Sequence, residues 1–284
     1  MDFAAFFKEY PFSLSEEEIK LDVKHIIDHH YENTDNFKSR KFLYSALEIT
    51  SLSPTDREEN ICKMVEEINN IDEEAPELPM PAAICVYPTL VETVKNTLTE
   101  EVGITTVIGF PHAQTFPEVK IAEASLAIMS GATEIDMVMN IGKFLSGEYT
   151  DLFDEISEVK AACKDVPLKV ILETGLLKTP ENIFKASLLA IEAGADFIKS
   201  TTGKTEPTTL SAVYTMCRAI RAYYEKTNIK KGIKIAGGVK TVQDALMYLT
   251  VAKEILDEEF ISTEYFRIGS SSLGEQLKQE INKI

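Results

Sequence analysis

Residues 168–200 read LKVILETGLLKTPENIFKASLLAIEAGADFIKS. This stretch begins with a short apolar run, Leu168–Glu173, and continues into a segment of helical period, Thr179–Ala193. Gly194 suits the left-handed residue that closes a helix before the next strand, and a second apolar run follows at Asp196–Ser200. Strand, helix, glycine and strand in this order predict one unit of a parallel β-sheet.

The same alternation of short apolar runs and helical segments extends along the chain from about residue 41 onward. The runs are Ser45–Thr50, Ala82–Tyr87, Thr105–Gly109, Glu134–Asn140, Leu168–Glu173, Asp196–Ser200, Gly232–Ala236 and Tyr265–Gly269. Eight such units in roughly 240 residues favour a closed (β/α)8 TIM barrel over an open sheet. We therefore predict an α/β barrel domain over residues 41–284, preceded by an N-terminal helical extension over residues 1–40.

Acidic residues dominate the charge of the chain. Twenty-nine lysines and arginines stand against 46 aspartates and glutamates in 284 residues, which gives a formal net charge of −17. Such a charge repels phosphate, which argues against nucleic acid or an anionic membrane as a partner. A phosphorylated ligand would need positive groups that are gathered at its own site.

Targeting and redox features predict a soluble cytoplasmic protein. The chain begins without a basic segment ahead of an apolar run, and no stretch approaches the roughly 18 apolar residues of a membrane span. The four cysteines form no CxxC pair. Their spacing argues against a zinc ribbon or a disulfide framework and fits a reducing compartment.

Two lysines interrupt apolar strands that are neighbours in the predicted barrel. Lys199 stands in Asp196–Ser200, and Lys234 stands in Gly232–Ala236. Two inward-facing cations raise the cost of charging each other, and together with desolvation this lowers the pKa of a lysine towards neutrality. A neutral amine is the nucleophile that a Schiff-base enzyme needs. The alternative is that one of the two lysines extends outward between helices.

Charged residues also interrupt the first, fourth and fifth predicted strands. Asp136 stands in Glu134–Asn140, where an isolated carboxylate would be costly and where inward lysines would supply partners. We predict that it moves protons beside an imine, forms a structural ion pair, or does both. Glu48 and Lys169 are predicted to form a second buried charge pair with a supporting role. Cys85 is predicted to pack as a small apolar residue near the pocket.

Glycine-rich loops follow the last three predicted strands. Gly203 and Lys204 follow strand six, Gly237-Gly238 follows strand seven, and Gly269-Ser270-Ser271-Ser272 follows strand eight. Glycine allows backbone N–H groups to approach an anion closely, and a helix N-terminus adds a favourable field. Because loops after strands seven and eight often bind phosphate in this fold, a phosphate site is predicted here.

Histidines give little support for a metal. His25, His29 and His30 lie in the N-terminal extension, and His25 and His29 could share one helix face. A third ligand and a pocket are lacking there, so we interpret them as structural. Near the strand ends only His112 is a candidate ligand or thiol base, so no metal is predicted.

Five motifs resemble the deoxyribose-phosphate aldolase family, a class I, Schiff-base aldolase family. They are Ala-Ala-Ile-Cys-Val-Tyr-Pro, Glu-Ile-Asp-Met-Val, Leu-Lys-Val-Ile-Leu-Glu-Thr-Gly, Phe-Ile-Lys-Ser-Thr-Thr-Gly and Gly-Ile-Lys-Ile-Ala-Gly-Gly-Val. The resemblance covers roughly residues 45 to 275, within the predicted barrel.

The resemblance implies reversible cleavage of 2-deoxy-D-ribose 5-phosphate to acetaldehyde and D-glyceraldehyde 3-phosphate, without metal or organic cofactor. It makes Lys199 the Schiff-base lysine, Lys234 the neighbour that lowers its pKa, and Asp136 part of the proton relay. The implied phosphate contacts are Gly203, Lys204, Gly237, Gly238, Gly269 and Ser271. A homodimer or higher homo-oligomer is implied as well.

The chain departs from the family pattern in three places. Glu48 stands where the first strand usually has aspartate, and the last residues lack the C-terminal tyrosine that some members use in proton transfer. The first forty or so residues have no counterpart in the shortest members. Two alternatives stay open: another lysine-dependent phosphosugar aldolase or transaldolase-like enzyme, and a non-catalytic barrel that binds a phosphosugar.

Overall fold

Eight parallel strands close into a barrel in chain order, in a computed structural model that describes residues 1–282. The strands are β1 (Leu47–Thr50), β2 (Ala83–Val86), β3 (Gly103–Ile108), β4 (Glu134–Val138), β5 (Leu168–Ile171), β6 (Phe197–Lys199), β7 (Gly232–Ala236) and β8 (Phe266–Ser270). Each strand pairs with the next, and β1 pairs with β8. The predicted (β/α)8 barrel is confirmed.

Three helices precede β1, further helices follow each strand, and together they surround the barrel. They are α1 (Phe3–Lys8), α2 (Glu16–Thr34), α3 (Phe37–Ser45), α4 (Glu58–Asn69), α5 (Ile71–Glu74), α6 (Val91–Thr97), α7 (Pro117–Ser130), α8 (Ile141–Leu145), α9 (Tyr149–Cys163), α10 (Thr174–Leu177), α11 (Pro180–Glu192), α12 (Leu210–Thr227), α13 (Val242–Leu256) and α14 (Leu273–Ile281), with short 3-10 turns at Pro88–Leu90 and Glu258–Phe260. Among residues 1–282, no helix combines the length and apolar character that crossing a membrane requires.

The opening stretch of sequence folds as its pattern predicts. Thr179 caps α11 by accepting the N–H of Asn182, and Pro180 occupies the first helical position, where its missing N–H is harmless. Gly194 then adopts φ +105° and ends the helix before β6. Helix signals and strand signals agree locally, so this unit is well specified by its own sequence.

Several predicted strands are longer than the strands observed. Ser45 closes α3 instead of opening β1, and its hydroxyl donates to the carbonyl of Phe42. Asn140 lies beyond β4 because its side chain accepts the N–H of Lys143 and caps α8. In both cases a side chain that bonds to nearby backbone competes with the sheet.

The N-terminal helices pack directly on the barrel. Ser15 and Glu18 form a capping box at the start of α2, which lies against α12 and α13. Buried side chains of α1, α2 and α3 belong to the same apolar core as the barrel helices. The predicted boundary after residue 40 falls within α3, and the division into two parts stays a prediction. Residues 283 and 284, which end the tyrosine-free C-terminal stretch, lie outside the described residues.

Candidate active site

A cavity of about 470 Å³ opens at the carboxyl ends of the strands. Its lining includes Lys199 and all six predicted phosphate-contact residues: Gly203, Lys204, Gly237, Gly238, Gly269 and Ser271. This end of the barrel is where the fold usually carries chemistry. The structure therefore brings the predicted nucleophile and the predicted anion loops to one place.

Asp136 lies at the centre of the buried charges below this cavity. Its Oδ2 is 2.8 Å from Nζ of Lys199 and 2.5 Å from Nζ of Lys234. Its Oδ1 accepts a hydrogen bond from Nζ of Lys169 at 3.0 Å. Both lysines predicted on β6 and β7 therefore point inward, where their Cα atoms are paired in register, and they share one carboxylate oxygen.

A deeper layer of charges extends this cluster towards the amino ends of the strands. Lys169 Nζ lies 2.5 Å from Glu134 and 3.4 Å from Glu48, and Lys234 also contacts Glu48. Arg267 completes the layer at 3.1 Å from Glu134 and 3.5 Å from Glu48. Glu48 and Lys169 meet, as predicted, but they do not form a separate pair; the seven side chains make one network, which we call the charge cluster.

Sequence reasoning missed two members of the charge cluster. Arg267 interrupts a predicted apolar strand, which is the signal that identified the other members, whereas Glu134 is the first residue of its predicted strand. Glu134 is two residues from Asp136, so both side chains project to the same face of β4. Arg267 could have been found by the same reasoning.

The charge cluster contains one more cationic side chain than carboxylates. Four cationic side chains meet three carboxylates. An unbalanced buried charge is costly. Lys199 is 3% exposed and lines the cavity, whereas Lys169 and Lys234 are fully buried. The geometry thus makes Lys199 the lysine of the cluster that can meet a ligand.

Asp136 and Lys234 keep their charges within the cluster. Burial alone would raise the pKa of Asp136, but Lys169, Lys199 and Lys234 lower it well below its usual value. Burial pulls the pKa of Lys234 down, yet Asp136 and Glu48 raise it above its usual value. Lys234 therefore remains a cation beside Lys199. A neighbouring cation makes a second positive charge less favourable.

Acid stability should depend on Glu134. Burial opposes its ionisation, but Lys169 and Arg267 lower the pKa of Glu134 from 4.5 to about 2. A depressed carboxyl pKa stabilises the fold above the unfolded-state value and loses that contribution as pH falls through the folded-state value. We expect about 3 kcal/mol of unfolding free energy to disappear between roughly pH 5 and pH 2 through this group.

Urea unfolding at successive pH values checks this expectation. The variant Glu134→Gln should show a shallower fall in unfolding free energy over that pH range than the wild type. Glu59→Gln is the control, because Glu59 lies on the surface in an i,i+4 pair with Lys63, and its pH dependence should match the wild type. Parallel curves for wild type and Glu134→Gln would contradict the argument.

The cavity concentrates positive charge in an acidic protein. Its lining contains Lys199, Lys204 and Lys240 and, within the described part of the chain, no carboxylate. Gly237 and Gly238 adopt φ of +88° and +86°, and a Cβ on Gly237 would overlap Oγ1 of Thr201. Only glycine allows the backbone to follow this path close to a ligand. The cavity therefore has the local positive charge that a phosphate ligand would require.

Cys85 lies at the wall of the charge cluster and is fully buried. Its Sγ and oxygens of Glu48 and Asp136 lie within 4.8 Å of one another, a spacing that could suit a metal ion. Lysine ammonium groups already contact both carboxylates, and burial raises the pKa of the Cys85 thiol. The three side chains are therefore poorly suited to bind a metal cation. The absence of a metal stays a prediction.

The N-terminal histidines lie away from the strand ends. His25 and His30 line another cavity, of about 590 Å³, between α2, α12 and α13 on the outer face of the barrel. His30 lies 3.2 Å from Glu254, and the His25 and His29 rings are 4.1 Å apart. This cavity is larger than the one at the strand ends, but none of the residues that line it belongs to the charge cluster. We therefore place the candidate site at the strand ends.

The chain is thus an α/β-barrel protein whose candidate site is built around a lysine. That lysine lies between a buried charge cluster and a cation-lined cavity. Within this class the chain belongs to the DeoC/LacD aldolase family, whose profile, described as DeoC/LacD family aldolase, matches residues 23–268. The predicted family is confirmed.

Similar proteins agree with this assignment. The human deoxyribose-phosphate aldolase is 42% identical over 205 residues, which cover 70% of this chain and 64% of the human protein, just under two thirds of its length. A Caenorhabditis elegans protein named as a candidate deoxyribose-phosphate aldolase is 35% identical over 259 residues, 89% of this chain and 86% of its own. The solved structure of "QR15, an Aldolase" superposes with a TM-score of 0.71 at 28% identity, covering 85% of this chain and 96% of that one.

Proposed function

We propose that this protein is a class I aldolase that cleaves 2-deoxy-D-ribose 5-phosphate reversibly into acetaldehyde and D-glyceraldehyde 3-phosphate. The observation that carries the proposal is the position of Lys199, whose Nζ reaches the cavity while sharing Oδ2 of Asp136 with the cation of Lys234. The names of the human and nematode relatives support the choice of substrate.

The chemistry begins at the amine of Lys199. The neutral amine attacks the C1 aldehyde of the open-chain sugar, and loss of water gives a protonated imine. The C2–C3 bond then breaks, its electron pair moves towards the imine nitrogen, and the C3 hydroxyl gives up its proton as D-glyceraldehyde 3-phosphate forms. The resulting enamine takes a proton at its terminal carbon, and water releases acetaldehyde and the free amine.

Asp136 and Lys234 are placed to serve the proton transfers. Asp136 contacts the reacting amine, and Lys234 hydrogen-bonds to the same carboxylate oxygen. Proton transfer of this kind needs groups within hydrogen-bond reach, which this arrangement supplies next to Lys199. The cluster also excludes solvent, since Asp136 and Lys234 are fully buried.

The loops after β6, β7 and β8 would bind the 5-phosphate. Lys204 supplies a cation, and Gly238 and Ser271 line the same cavity. The helix α14 starts at Leu273, immediately after the serine loop, and directs its N-terminal dipole towards this end of the cavity. The phosphate would sit opposite Lys199, which leaves the aldehyde end of the sugar at the amine.

Turnover of the purified protein tests the proposal. The protein is incubated with 2-deoxyribose 5-phosphate, and acetaldehyde and D-glyceraldehyde 3-phosphate are measured separately with NAD-linked dehydrogenases. Equimolar release of both products is expected. Faster cleavage of another phosphosugar would favour the related lysine-dependent aldolase, and binding of the sugar phosphate without cleavage would favour a phosphosugar-binding barrel.

We also propose a homodimer or higher homo-oligomer in a reducing, cytoplasmic location. Exposed apolar side chains at the start and along one face of α7, namely Phe116, Val119, Leu126 and Met129, support self-association. All four cysteines are free thiols, which supports the location. Light scattering tests the assembly, and a solution mass of 31.7 kDa, that of one chain, would rule it out; subcellular fractionation tests the location.

A further inference from the structure

Glu173 has an unusual backbone conformation directly after β5. Its φ of +55° and ψ of +58° lie in the left-handed region, which is unfavourable for a residue with a side chain. The neighbouring residues hold it there, because Leu172 N–H donates to the carbonyl of Lys199 at 2.9 Å and Thr174 N–H donates to that of Ser200 at 3.0 Å. The end of β6 therefore fixes the chain on both sides of Glu173.

The left-handed turn directs a carboxylate into the loop after β6. Glu173 is 1% exposed, and its Oε1 accepts the N–H of Thr202 at 3.2 Å. Its Oε2 accepts the hydroxyl proton of Thr202 at 2.7 Å. Within residues 1–282, no lysine, arginine or histidine forms an ion pair with it. A buried carboxylate without such a partner is costly and depends on these two hydrogen bonds.

The carboxylate also determines what Thr202 can do for its neighbour. An ionised carboxylate only accepts hydrogen bonds, so the Thr202 hydroxyl must direct its proton to Glu173. The oxygen of that hydroxyl is then free to accept, and it accepts the N–H of Lys204 at 3.1 Å. Glu173 thereby orients the backbone of Lys204 through a single intervening side chain.

Lys204 lies where the cavity meets the loop after β1. Its Nζ donates to the carbonyl of Leu52 at 2.6 Å, and both residues line the cavity. A lysine side chain has many rotamers, so its ammonium can be placed accurately only if its backbone is fixed. The chain of hydrogen bonds from Glu173 through Thr202 supplies that fixed point.

We infer that Glu173 is a positioning residue for the phosphate end of the substrate, acting through Thr202 on Lys204. The inference rests on the proposed function for the identity of the substrate. Glu173 itself is absent from the residues that line the cavity, so it acts on affinity for the phosphate and not on the reacting carbon atoms.

The test compares substrates with and without phosphate. In Glu173→Gln the amide N–H₂ faces one of the two Thr202 donors, which removes an acceptor and loosens the loop. We expect KM for 2-deoxyribose 5-phosphate to rise about 10-fold or more, and kcat to change less than about 3-fold. For unphosphorylated 2-deoxyribose, kcat/KM should change less than about 3-fold. Equal losses on both substrates would overturn the inference.

Variants of Thr202 test the route. Thr202→Val removes the hydroxyl and should reproduce the rise in KM, whereas Thr202→Ser retains the hydroxyl and should restore KM to near the wild-type value. The double variant Glu173→Gln/Thr202→Val should be no weaker than Thr202→Val alone, because both act on one chain of hydrogen bonds. Additive losses in the double variant would contradict that route.

Titration calorimetry with inorganic phosphate separates this inference from the proposed function. If the wild type does not cleave 2-deoxyribose 5-phosphate, the proposed function fails. The Kd for inorganic phosphate still measures how well the loop after β6 binds phosphate. We expect that Kd to rise about 5- to 10-fold in Glu173→Gln and to stay near the wild-type value in Thr202→Ser. An unchanged Kd in Glu173→Gln would overturn the positioning role.

Discussion

Replacing Lys199 by alanine is expected to lower kcat for cleavage of 2-deoxyribose 5-phosphate by about 10⁴-fold or more, because the covalent route is lost. Borohydride reduction in the presence of the substrate should attach the sugar to the wild-type peptide that contains Lys199 and leave the variant unlabelled. Peptide mass mapping measures the adduct. An adduct on Lys234 instead would keep the reaction class but reverse the roles of the two lysines.

The Lys199→Ala variant should remain folded. Without Lys199, Asp136 still contacts Lys169 and Lys234, and three cations then balance three carboxylates. The loss of unfolding free energy should be smaller than the roughly 3–5 kcal/mol of an uncompensated buried charge. Lys185→Ala is the matched control, because Lys185 pairs with Glu181 on α11 outside the cluster, and it should retain full activity and labelling. Substantial activity in Lys199→Ala would remove Lys199 from the nucleophile role.

Replacing Lys234 by leucine is expected to move the acid limb of the pH–rate profile upward by about two units. Lys234 shares Oδ2 of Asp136 with Lys199, and removing a neighbouring cation makes a positive charge on the nucleophile less costly. Two unit charges about 5 Å apart interact by roughly 3 kcal/mol at an effective dielectric constant of about 20, and 1.36 kcal/mol corresponds to one pH unit. The rate near pH 7 should fall about 100-fold and recover in alkaline buffer.

The measurement is kcat/KM from pH 5 to pH 10 with a coupled assay whose auxiliary enzymes are in excess. Lys185→Leu removes the same charge from the outer surface and should leave the acid limb in place, which separates the local effect from that of net charge. If the limb of Lys234→Leu coincides with that of the wild type, the neighbouring cation does not control the nucleophile. A rate loss that is constant at all pH values would indicate a role for Lys234 in proton transfer alone.

The sequence carried enough information for the barrel and for the positions of its two buried lysines on β6 and β7. Each strand is short, apolar and separated from the next by a helix with recognisable ends, so local preference and global topology agree. Lys199 and Lys234 were visible because a single charge within an apolar strand is expensive and stands out. The family assignment and the closed sheet confirm the fold; the roles of the individual side chains stay predictions.

Other features depended on contacts that no one-dimensional pattern contains. The sequence predicted partners for Asp136 but not that three lysines share it, since that follows from how the strands stagger around the barrel. Glu173 ends the predicted apolar run Leu168–Glu173, and nothing in its neighbours predicts a left-handed conformation for a glutamate. The outer cavity beside α2 was also missed, because it requires knowing where the N-terminal helices pack.

The charge cluster divides the polypeptide into two complementary halves. All three carboxylates, Glu48, Glu134 and Asp136, come from β1 and β4, and all four cations come from β5 to β8. Neither half could bury its charged side chains alone without a large cost in free energy, because they would have no partners of opposite charge. We therefore expect the first four strands to stay open to water until the later strands pair with them. Assembly of this barrel is for that reason expected to be all-or-none, with its last electrostatic contact made when Arg267 enters beside Glu48 and Glu134.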